Sequence, residues 1–440
     1  MKSVSWEQAA EAMGGQSYGA GAPIIGAATD DRDVRPGDLF FAIPGARVDG
    51  HQFVEVAYRS GAVGAVTLRP IGDVPCIVVD DTVAALGRLG AWQRDRLDIA
   101  VIGVTGSAGK TSVKEMIAAA LGAAKNEGNL NTEIGVPVTL CRLSGDEKIL
   151  VQEMAMRGRG QIAELCRIAK PIVGAITNIG WSHVEELGSK DEIAAAKAEL
   201  LEALPANGLA VLPRDDDYFA FLRSRVPCRW VSFGSSPDAD SHVEALSDDR
   251  QSARIRVGGE EHEVHLPAPG MAQAMNAACA LAVACGLGRS IDVDAIGRAT
   301  LPDLRWQVLT SRHGATIIAD CYNASPDSMR QALTELSLTE ATRKIAVLGG
   351  MRELGEYSLE MHEQLGRDVF SADIDLLVSV GEDLIADAAV AAGMESWRVE
   401  KVADAESAAR WLNENLAEGD VALIKGSRAI GLEATLKVVI

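Results

Sequence analysis

The segment Thr105–Thr111 (TGSAGKT) restricts the possible folds of this chain more than any other segment. It lies between an apolar run over Ile99–Val104, which predicts a strand, and a helical pattern from Thr111 to about Ala124. Glycines let such a turn curl around a phosphate group, and the N-terminus of the following helix adds partial positive charge. The order strand, glycine-rich turn and helix therefore predicts a nucleotide-binding α/β domain.

The residue types in this turn indicate how a nucleotide would be held. Lys110 can reach the outer phosphates, and the hydroxyl of Thr111 can bind Mg²⁺. The strict GxxxxGK[ST] pattern fails because Val104 occupies the position of its first glycine. A glycine-rich turn without a ligand is the alternative. We assign nucleotide contacts to the whole turn: Gly106, Ser107, Ala108, Gly109, Lys110, Thr111 and Ser112.

Further strands and helices alternate along the chain, which predicts an α/β protein of three domains. We expect a small N-terminal α/β domain over 1–85, a central P-loop ATPase-like domain with a mainly parallel sheet over 86–303, and a C-terminal Rossmann-like domain over 304–440. The polar, alternating stretch from Cys228 to His265 predicts an antiparallel excursion of the central sheet. Four short apolar runs, at 316–319, 345–348, 376–380 and 421–424, predict the C-terminal sheet.

Composition excludes several classes of function and partner. The net charge is −20, from 42 Lys and Arg against 62 Asp and Glu, so nucleic acid and anionic membranes are poor partners. Seven cysteines without a CxxC pair predict small buried side chains in a reducing compartment. The chain has no apolar run near the roughly 20 residues of a membrane span, and its first residues lack an apolar signal core. We expect a cytosolic enzyme.

Three residues outside the turn have the chemistry of metal ligands. Glu153 ends the apolar run 149–152, whose strand would lie beside the loop strand, where a magnesium-binding acid is expected. His183 follows the predicted strand 173–177, at the edge where α/β proteins bind ligands. The alternatives are an ordinary strand-end glutamate and a structural histidine.

Lys197 lies on the apolar face of a predicted helix. The segment Asp191–Leu204 places Lys197 four residues after Ile193 and four before Leu201. Burial lowers the pKa of a lysine and exposes a neutral amine, which can take up CO₂ and become an anionic carbamate suited to Mg²⁺. The alternative is a lysine whose stem covers the stripe while its ammonium group reaches water.

Taken together, these residues resemble the Mur ligase family over nearly the whole chain. The central matches are 106–111, 129–137 (NLNTEIGVP, against NLNNEIGVP), 153–160 (EMAMRGRG, against EMGxRGxG), 178–189 (against NIGxAHLExxGS) and 196–199 (against AKxE). The C-terminal matches are 320–329 (against DDSYNANPDSM), 348–357 (LGGMRELGEY, against LGDMLELGEY) and 425–428 (KGSR). The first region adds 35–42 and 49–51. Single motifs are weak, but their combination is specific.

The resemblance implies a role for each candidate site residue. Thr111 and Glu153 would hold one Mg²⁺, and His183 with carbamylated Lys197 would hold a second. Lys110, His183 and Lys197 would be the catalytic residues. Contacts to the nucleotide would come from Asn276, Arg305 and Asp320. The UDP-sugar substrate would lie near Thr29, Asp30, Arg32, Asn129, Asn131 and Thr132.

The resemblance is to the branch that joins D-alanyl-D-alanine to UDP-MurNAc-tripeptide with ATP and Mg²⁺, which implies these partners and a monomer. The branch that adds the third peptide residue carries a DNPR signature that is absent here. Folylpolyglutamate synthase lacks the N-terminal uridine-type region. From another class, a regulatory P-loop NTPase would not need His183 and Lys197 together. Departures from the family pattern are Leu304, Gly350 and Ala108, and an Ala-Ile-Gly continuation after Arg428.

Overall fold

The computed structural model describes residues 1–45 and 48–440. It contains three sheets, which occupy 16–78, 100–265 and 307–425, as the α/β alternation predicts. In the described part of the chain, no helix combines the length and apolar character that crossing a membrane requires.

The first sheet has five short strands in the order β1-β5-β4-β3-β2, and only β1 runs antiparallel to its neighbour. The capping box of Ser5 and Gln8 fixes the start of its first helix. The strands are β1 Gln16–Tyr18, β2 Gly26–Ala28, β3 Asp38–Phe41, β4 Gly64–Thr67 and β5 Cys76–Val78, and the helices are α1 Trp6–Met13, α2 Val54–Arg59 and α3 Thr82–Asp95. Helix α3 spans the expected boundary at residue 85.

The central sheet has nine strands in the order β14-β13-β12-β11-β10-β9-β6-β8-β7. The strands are β6 Ala100–Thr105, β7 Ala124–Lys125, β8 Ile149–Glu153, β9 Val173–Ile176, β10 Leu209–Pro213, β11 Arg229–Gly234, β12 Ser241–Leu246, β13 Ser252–Val257 and β14 Glu260–His265. The helices are α4 Lys110–Leu121, α5 Gly135–Arg142, α6 Gln161–Ala169, α7 Val184–Leu187, α8 Lys190–Glu202, α9 Phe219–Ser224, α10 Met271–Gly286 and α11 Val293–Gly297. Strand β6 lies between β8 and β9, so the strand order reverses beside it. In α/β sheets, ligands bind in the crevice at the carboxyl ends of the strands where such a reversal occurs.

The expected antiparallel excursion over 228–265 is correct only in its second half. Strands β11 and β12 continue the parallel sheet, and antiparallel pairing begins at β13. The mixed polar pattern led to a wrong prediction of strand direction because β11 is exposed at its start and buried only at its end. Polar and apolar residues alternate in partly exposed strands whichever way the strands pair.

The third sheet has the order β15-β16-β20-β17-β18-β19 and is parallel except for β15. The strands are β15 Gln307–Thr310, β16 Thr316–Ala319, β17 Arg343–Gly349, β18 Leu376–Val380, β19 Val399–Val402 and β20 Asp420–Lys425, and the helices are α12 Pro326–Leu338, α13 Ser358–Ser371, α14 Asp383–Ala392, α15 Ala405–Asn415 and α16 Leu436–Val439. One shared cavity is lined by residues that follow β6, β9 and β16 and by the last residues of β8 and β20.

Candidate active site

The turn between β6 and α4 is held in a conformation that requires glycine. Gly106 has φ 153°, and a Cβ there would stand 1.8 Å from the hydroxyl oxygen of Thr177. Gly109 has φ 78° and caps α4, and a Cβ there would meet Asn276 Oδ1 at 2.6 Å. Both positions favour glycine because L side chains rarely adopt positive φ and because each backbone approaches a neighbour closely.

The amide side chain of Asn178, just after β9, holds the first half of this turn. Its Oδ1 accepts hydrogen bonds from the backbone N–H groups of Ser107 (3.1 Å) and Ala108 (2.8 Å). The hydroxyl of Thr177 donates to the carbonyl of Ala108 at 2.5 Å. The second half of the turn is the N-terminus of α4, whose first N–H groups have no partner within the helix and can bind an anion. Sequence analysis included Asn178 in the motif 178–189 but assigned it no role. Its contact with the turn depends on the fold, because the two segments are about 70 residues apart in the sequence.

Lys110 folds back onto its own turn. Its Nζ donates to the carbonyl oxygens of Gly106 (2.8 Å) and Ser107 (3.4 Å). Burial lowers the pKa of Lys110, the charge of Arg305 lowers it further, and the carboxylates of Glu153 and Glu353 raise it. The ammonium group is therefore held by two carbonyls beside the N-terminus of α4, where an anion would be a stronger partner.

Two oxygen ligands for a metal stand side by side at the end of β8. The hydroxyl of Thr111 donates to Glu153 Oε2 at 2.8 Å, and Asn131 Nδ2 donates to Glu153 Oε1 at 2.8 Å. Glu153 is 3% exposed, and its backbone N–H donates to Asn126 Oδ1. A carboxylate and a hydroxyl oriented this way suit Mg²⁺, which prefers oxygen ligands. The strand-end position predicted Glu153 beside the turn, whereas its contact with Asn131 needed the structure.

A cavity of about 760 Å³ joins the central and C-terminal sheets in front of this turn. Its lining includes Glu335 and Lys425. It also includes most of the candidate residues: Ser107, Ala108, Gly109, Lys110, Thr111, Ser112, Asn129, Asn131, Glu153, Asn276, Arg305 and Asp320. Seven candidates are not part of this lining: Gly106, Thr132, Thr29, Asp30, Arg32, His183 and Lys197. Lys197 is buried in α8.

The C-terminal wall of the cavity carries charged side chains. The guanidinium of Arg305 lies 4.3 Å from the ring centre of Tyr322, and within the described residues its buried Nε has no hydrogen-bond partner. Asp320 Oδ2 accepts from Lys425 Nζ at 2.5 Å, and Oδ1 accepts from the N–H of Trp306. Lys425 is 2% exposed. Sequence analysis gave Lys425 no role, although it ends the strand beside the one that precedes Asp320.

His183 lies at the junction of the two domains. Its Nδ1 is 2.7 Å from Oε2 of Glu353, a residue of the C-terminal domain that sequence analysis did not single out. The close contact with His183 keeps the pKa of Glu353 below its ordinary value despite partial burial. Both residues have positive φ, 65° and 63°, a conformation that costs energy outside glycine and concentrates at functional sites.

Lys197 is 2% exposed in the middle of α8. Burial lowers its pKa far below the ordinary value, and the charge of Lys110 lowers it further. The side chain therefore does not reach water, which excludes the alternative of a solvent-directed ammonium group. A neutral amine beside Lys110 is the form that burial favours.

Four of the six candidates for the sugar nucleotide lie outside the lining of the large cavity, whereas Asn129 and Asn131 are part of it. Thr29 follows β2, and Arg32 donates to Asp30 Oδ1 from both its backbone N–H (3.0 Å) and its Nε (2.8 Å). Thr132 precedes α5, and its carbonyl accepts from the N–H of Val136. Among residues 1–45 and 48–440, no group of three or more His, Cys, Asp and Glu side chains gathers at metal-binding distance. Any metal here would need hydroxyl, phosphate or carbamate oxygens as well.

Comparison with known proteins gives matches over all three regions. Family models match residues 24–90 (Mur ligase family, catalytic domain), 104–284 (Mur ligase middle domain) and 304–428 (Mur ligase, glutamate ligase domain). A UDP-N-acetylmuramoyl-tripeptide--D-alanyl-D-alanine ligase of Bacillus subtilis is 35% identical over 94% of this chain and 93% of its own. A crystal structure of MurF from Acinetobacter baumannii superposes with a TM-score of 0.90 at 30% identity, covering 99% and 98% of the two chains. MurF ligase from Thermotoga maritima in complex with ADP gives 0.81 at 31% identity, covering 94% and 96%.

Proposed function

The chain belongs to the Mur ligase family, and from this premise we propose that it joins D-alanyl-D-alanine to UDP-MurNAc-tripeptide, converting ATP to ADP and phosphate. The observation that carries the proposal is the shared cavity, where the turn before α4 faces Arg305 and Asp320 of the C-terminal domain. A regulatory NTPase needs only the first of these walls. The near full-length similarity to ligases of this specificity supports the choice of substrates.

The chemistry is activation of a carboxylate followed by attack of an amine. The terminal carboxylate of the tripeptide attacks the γ-phosphorus of ATP. This step forms an acyl phosphate and releases ADP. The amine of the dipeptide then attacks the acyl carbon, loses a proton, and expels phosphate as the amide forms. Lys110 follows the transferring phosphoryl group, exchanging the carbonyls of Gly106 and Ser107 for phosphate oxygens.

The proposal includes two magnesium ions. Thr111 and Glu153 would hold one ion through the hydroxyl and carboxylate oxygens that now bond each other. His183 and Lys197 would hold the other, with Lys197 as a carbamate, because a buried neutral amine can take up CO₂ and an ammonium group cannot bind a cation. When bound, Mg²⁺ offsets the negative charge of the phosphate oxygens.

The remaining contacts follow from position. Asn276, beside Gly109 of the turn, and Arg305 and Asp320, on the C-terminal wall, would hold the nucleotide, because all three line the cavity. Thr29, Asp30, Arg32, Asn129, Asn131 and Thr132 would hold the sugar nucleotide. The proposal includes domains at 1–85, 86–303 and 304–440, and a monomer that works in the cytosol.

The decisive assay measures ADP release with UDP-MurNAc-tripeptide, with and without D-alanyl-D-alanine. We expect sustained release only when both are present, because the acyl phosphate accumulates without an amine. UDP-MurNAc-dipeptide with a free amino acid is the control for the branch that adds the third residue. Release that ignores both substrates would favour a regulatory NTPase, and release with the dipeptide control would favour the other ligase branch.

A further inference from the structure

The loop after β9 bonds to both the side chain and the backbone of Ser107, a residue of the turn before α4. Ser107 Oγ donates to the carbonyl of Gly180 at 3.1 Å and accepts from the N–H of Gly180 at 2.8 Å. The hydroxyl of Ser182 donates to the carbonyl of Ser107 at 3.1 Å. Between them, the N–H of Trp181 donates to Asp327 Oδ2 of the C-terminal domain at 3.1 Å. These bonds on both sides fix the hydroxyl of Ser182 beside the turn.

The carbonyl oxygen of Ser107 accepts hydrogen bonds from two side chains. One comes from Ser182, and the other comes from the Nζ of Lys110 at 3.4 Å. A carbonyl oxygen has two lone pairs and can accept both. Ser107 is 8% exposed, so water has little access to it. If both donors were absent, this carbonyl would lack a partner, which costs free energy at a buried position.

Lys110 is the donor that leaves this carbonyl when a nucleotide binds. In the proposed reaction its Nζ exchanges the carbonyls of Gly106 and Ser107 for phosphate oxygens. The bond lost at Gly106 is the same whatever residue occupies position 182. At Ser107 the outcome depends on that residue, because the hydroxyl of Ser182 stays behind as the remaining donor.

We propose that Ser182 is a positioning residue that lowers the free-energy cost of moving Lys110 to the phosphates, because its hydroxyl keeps the carbonyl of Ser107 bonded after Lys110 has left. The inference rests on the proposed function, in which Lys110 binds the outer phosphates of ATP. Ser182 acts through the turn and not through a contact with the nucleotide. Its hydroxyl therefore strengthens ATP binding only in a protein that has Lys110.

The hydroxyl at position 182 is a feature of this chain rather than of the motif around it. The related motif NIGxAHLExxGS has alanine at this position, and the chain reads NIGWSHVEELGS. Alanine is therefore compatible with the fold, and Ser182→Ala removes the hydroxyl alone, whereas Ser182→Thr keeps one. Ser224→Ala is the matched control. Ser224 belongs to the central domain, its hydroxyl donates to the carbonyl of Phe221, and it is not part of the lining of the large cavity.

The test is a double-mutant cycle of Ser182→Ala with Lys110→Met, read as the Kd for ATP with Mg²⁺ by isothermal titration calorimetry without the other substrates. In the wild-type background, Ser182→Ala should raise Kd about fivefold, the order of one hydrogen bond, because the carbonyl loses its last donor on binding. In the Lys110→Met background the same change should leave Kd unaltered, since the carbonyl has the same partners before and after binding. Ser182→Thr and Ser224→Ala should match the wild type.

Thermal unfolding of the nucleotide-free proteins gives a second reading of the same cycle. Ser182→Ala should lower Tm more in the Lys110→Met background than in the wild type, because only there does the carbonyl of Ser107 lose its last donor in the free protein. This measurement decides the inference even where Lys110→Met binds ATP too weakly for calorimetry.

A Ser182→Ala protein that keeps the wild-type Kd for ATP overturns the inference. So does an equal rise of Kd, or an equal fall of Tm, in both backgrounds, because the hydroxyl would then shape the loop independently of Lys110. If the wild type binds no ATP, the proposed function itself has failed. The two failures are therefore distinguishable in one set of measurements.

Discussion

The two walls of the large cavity present their polar groups in different ways. The central domain uses the N-terminus of α4 and the turn before it, a backbone surface held by Asn178. The C-terminal domain uses side chains, with Asp320 paired to the buried Lys425 and Arg305 stacked on Tyr322. Both walls lie at the carboxyl ends of parallel strands. Similar sheets can therefore bind the same ligand through backbone in one domain and side chains in the other.

The largest expected effect concerns Lys110, the charged side chain that contacts the turn before α4. This turn and the N-terminus of α4 form the backbone wall of the cavity. Lys110→Ala should lower kcat about 1,000-fold, because a preorganised donor to the transferring group is lost. Circular dichroism should stay native, since among the described residues the Nζ of Lys110 donates only to carbonyls of its own turn. A variant that retains more than a tenth of wild-type turnover would show that Lys110 does not act on the phosphates.

Lys197 tests whether the second candidate metal site depends on a carbamate. Lys197→Ala should lower kcat about 100-fold through weaker metal binding, and short carboxylic acids in excess should partly restore it by filling the vacated space. Lys197→Arg should stay inactive because a guanidinium remains protonated and cannot take up CO₂. An active Lys197→Arg enzyme would contradict the proposal. So would wild-type protein that, after exposure to ¹³CO₂, shows no labelled carbamate by mass spectrometry and ¹³C NMR.

Lys425→Met tests the side-chain wall. The variant removes the charge that holds Asp320, so we expect KM for ATP to rise about 30-fold, as for a buried charge-assisted contact. Asp320→Asn should act in the same direction but more weakly, since the amide oxygen can still accept from Lys425. Equal KM values for ATP in Lys425→Met and wild type would place nucleotide recognition on the central domain alone.

Asn178→Ala tests whether the turn before α4 needs the hydrogen bonds that Asn178 accepts from it. Loss of the oxygen that accepts from Ser107 and Ala108 should loosen the turn and lower kcat/KM for ATP about tenfold. Asn178→Asp keeps an acceptor but adds a negative charge beside the phosphates, so it should be worse than Asn178→Ala. A better Asn178→Asp enzyme would mean that Asn178 does not face the phosphate region.

The smallest expected effect concerns closure of the two walls. Arg250 of the central domain forms two hydrogen bonds with Glu335 of α12, at 2.8 and 2.9 Å, and Glu335 also accepts from the N–H of Met271. Glu335→Gln should raise KM for ATP about threefold by weakening the closed state. Solution scattering should show ATP compacting the wild type more than the variant. An unchanged radius in the wild type with saturating ATP and substrate would contradict closure.

Much of the fold could be predicted from the sequence because its periodicities are local. The runs 149–153 and 376–380 match β8 and β18, and each end of the turn before α4 lies within one residue of its predicted position. The directions of β11 and β12 could not be predicted, because strand direction depends on which neighbour a partly exposed strand meets.

The sequence by itself determined the groups whose geometry is set by neighbouring residues. The turn Thr105–Thr111, the acid at the end of β8 and the lysine on the apolar stripe of α8 all follow from spacing along one element. Only the tertiary structure decided which distant groups meet: Asn178 with the turn, Asp320 with Lys425, and His183 with Glu353. These pairs join different strands or domains, and loop lengths do not specify where their ends pack. The large cavity is lined by residues of the central and C-terminal regions, so its complete lining exists only once the two regions have met.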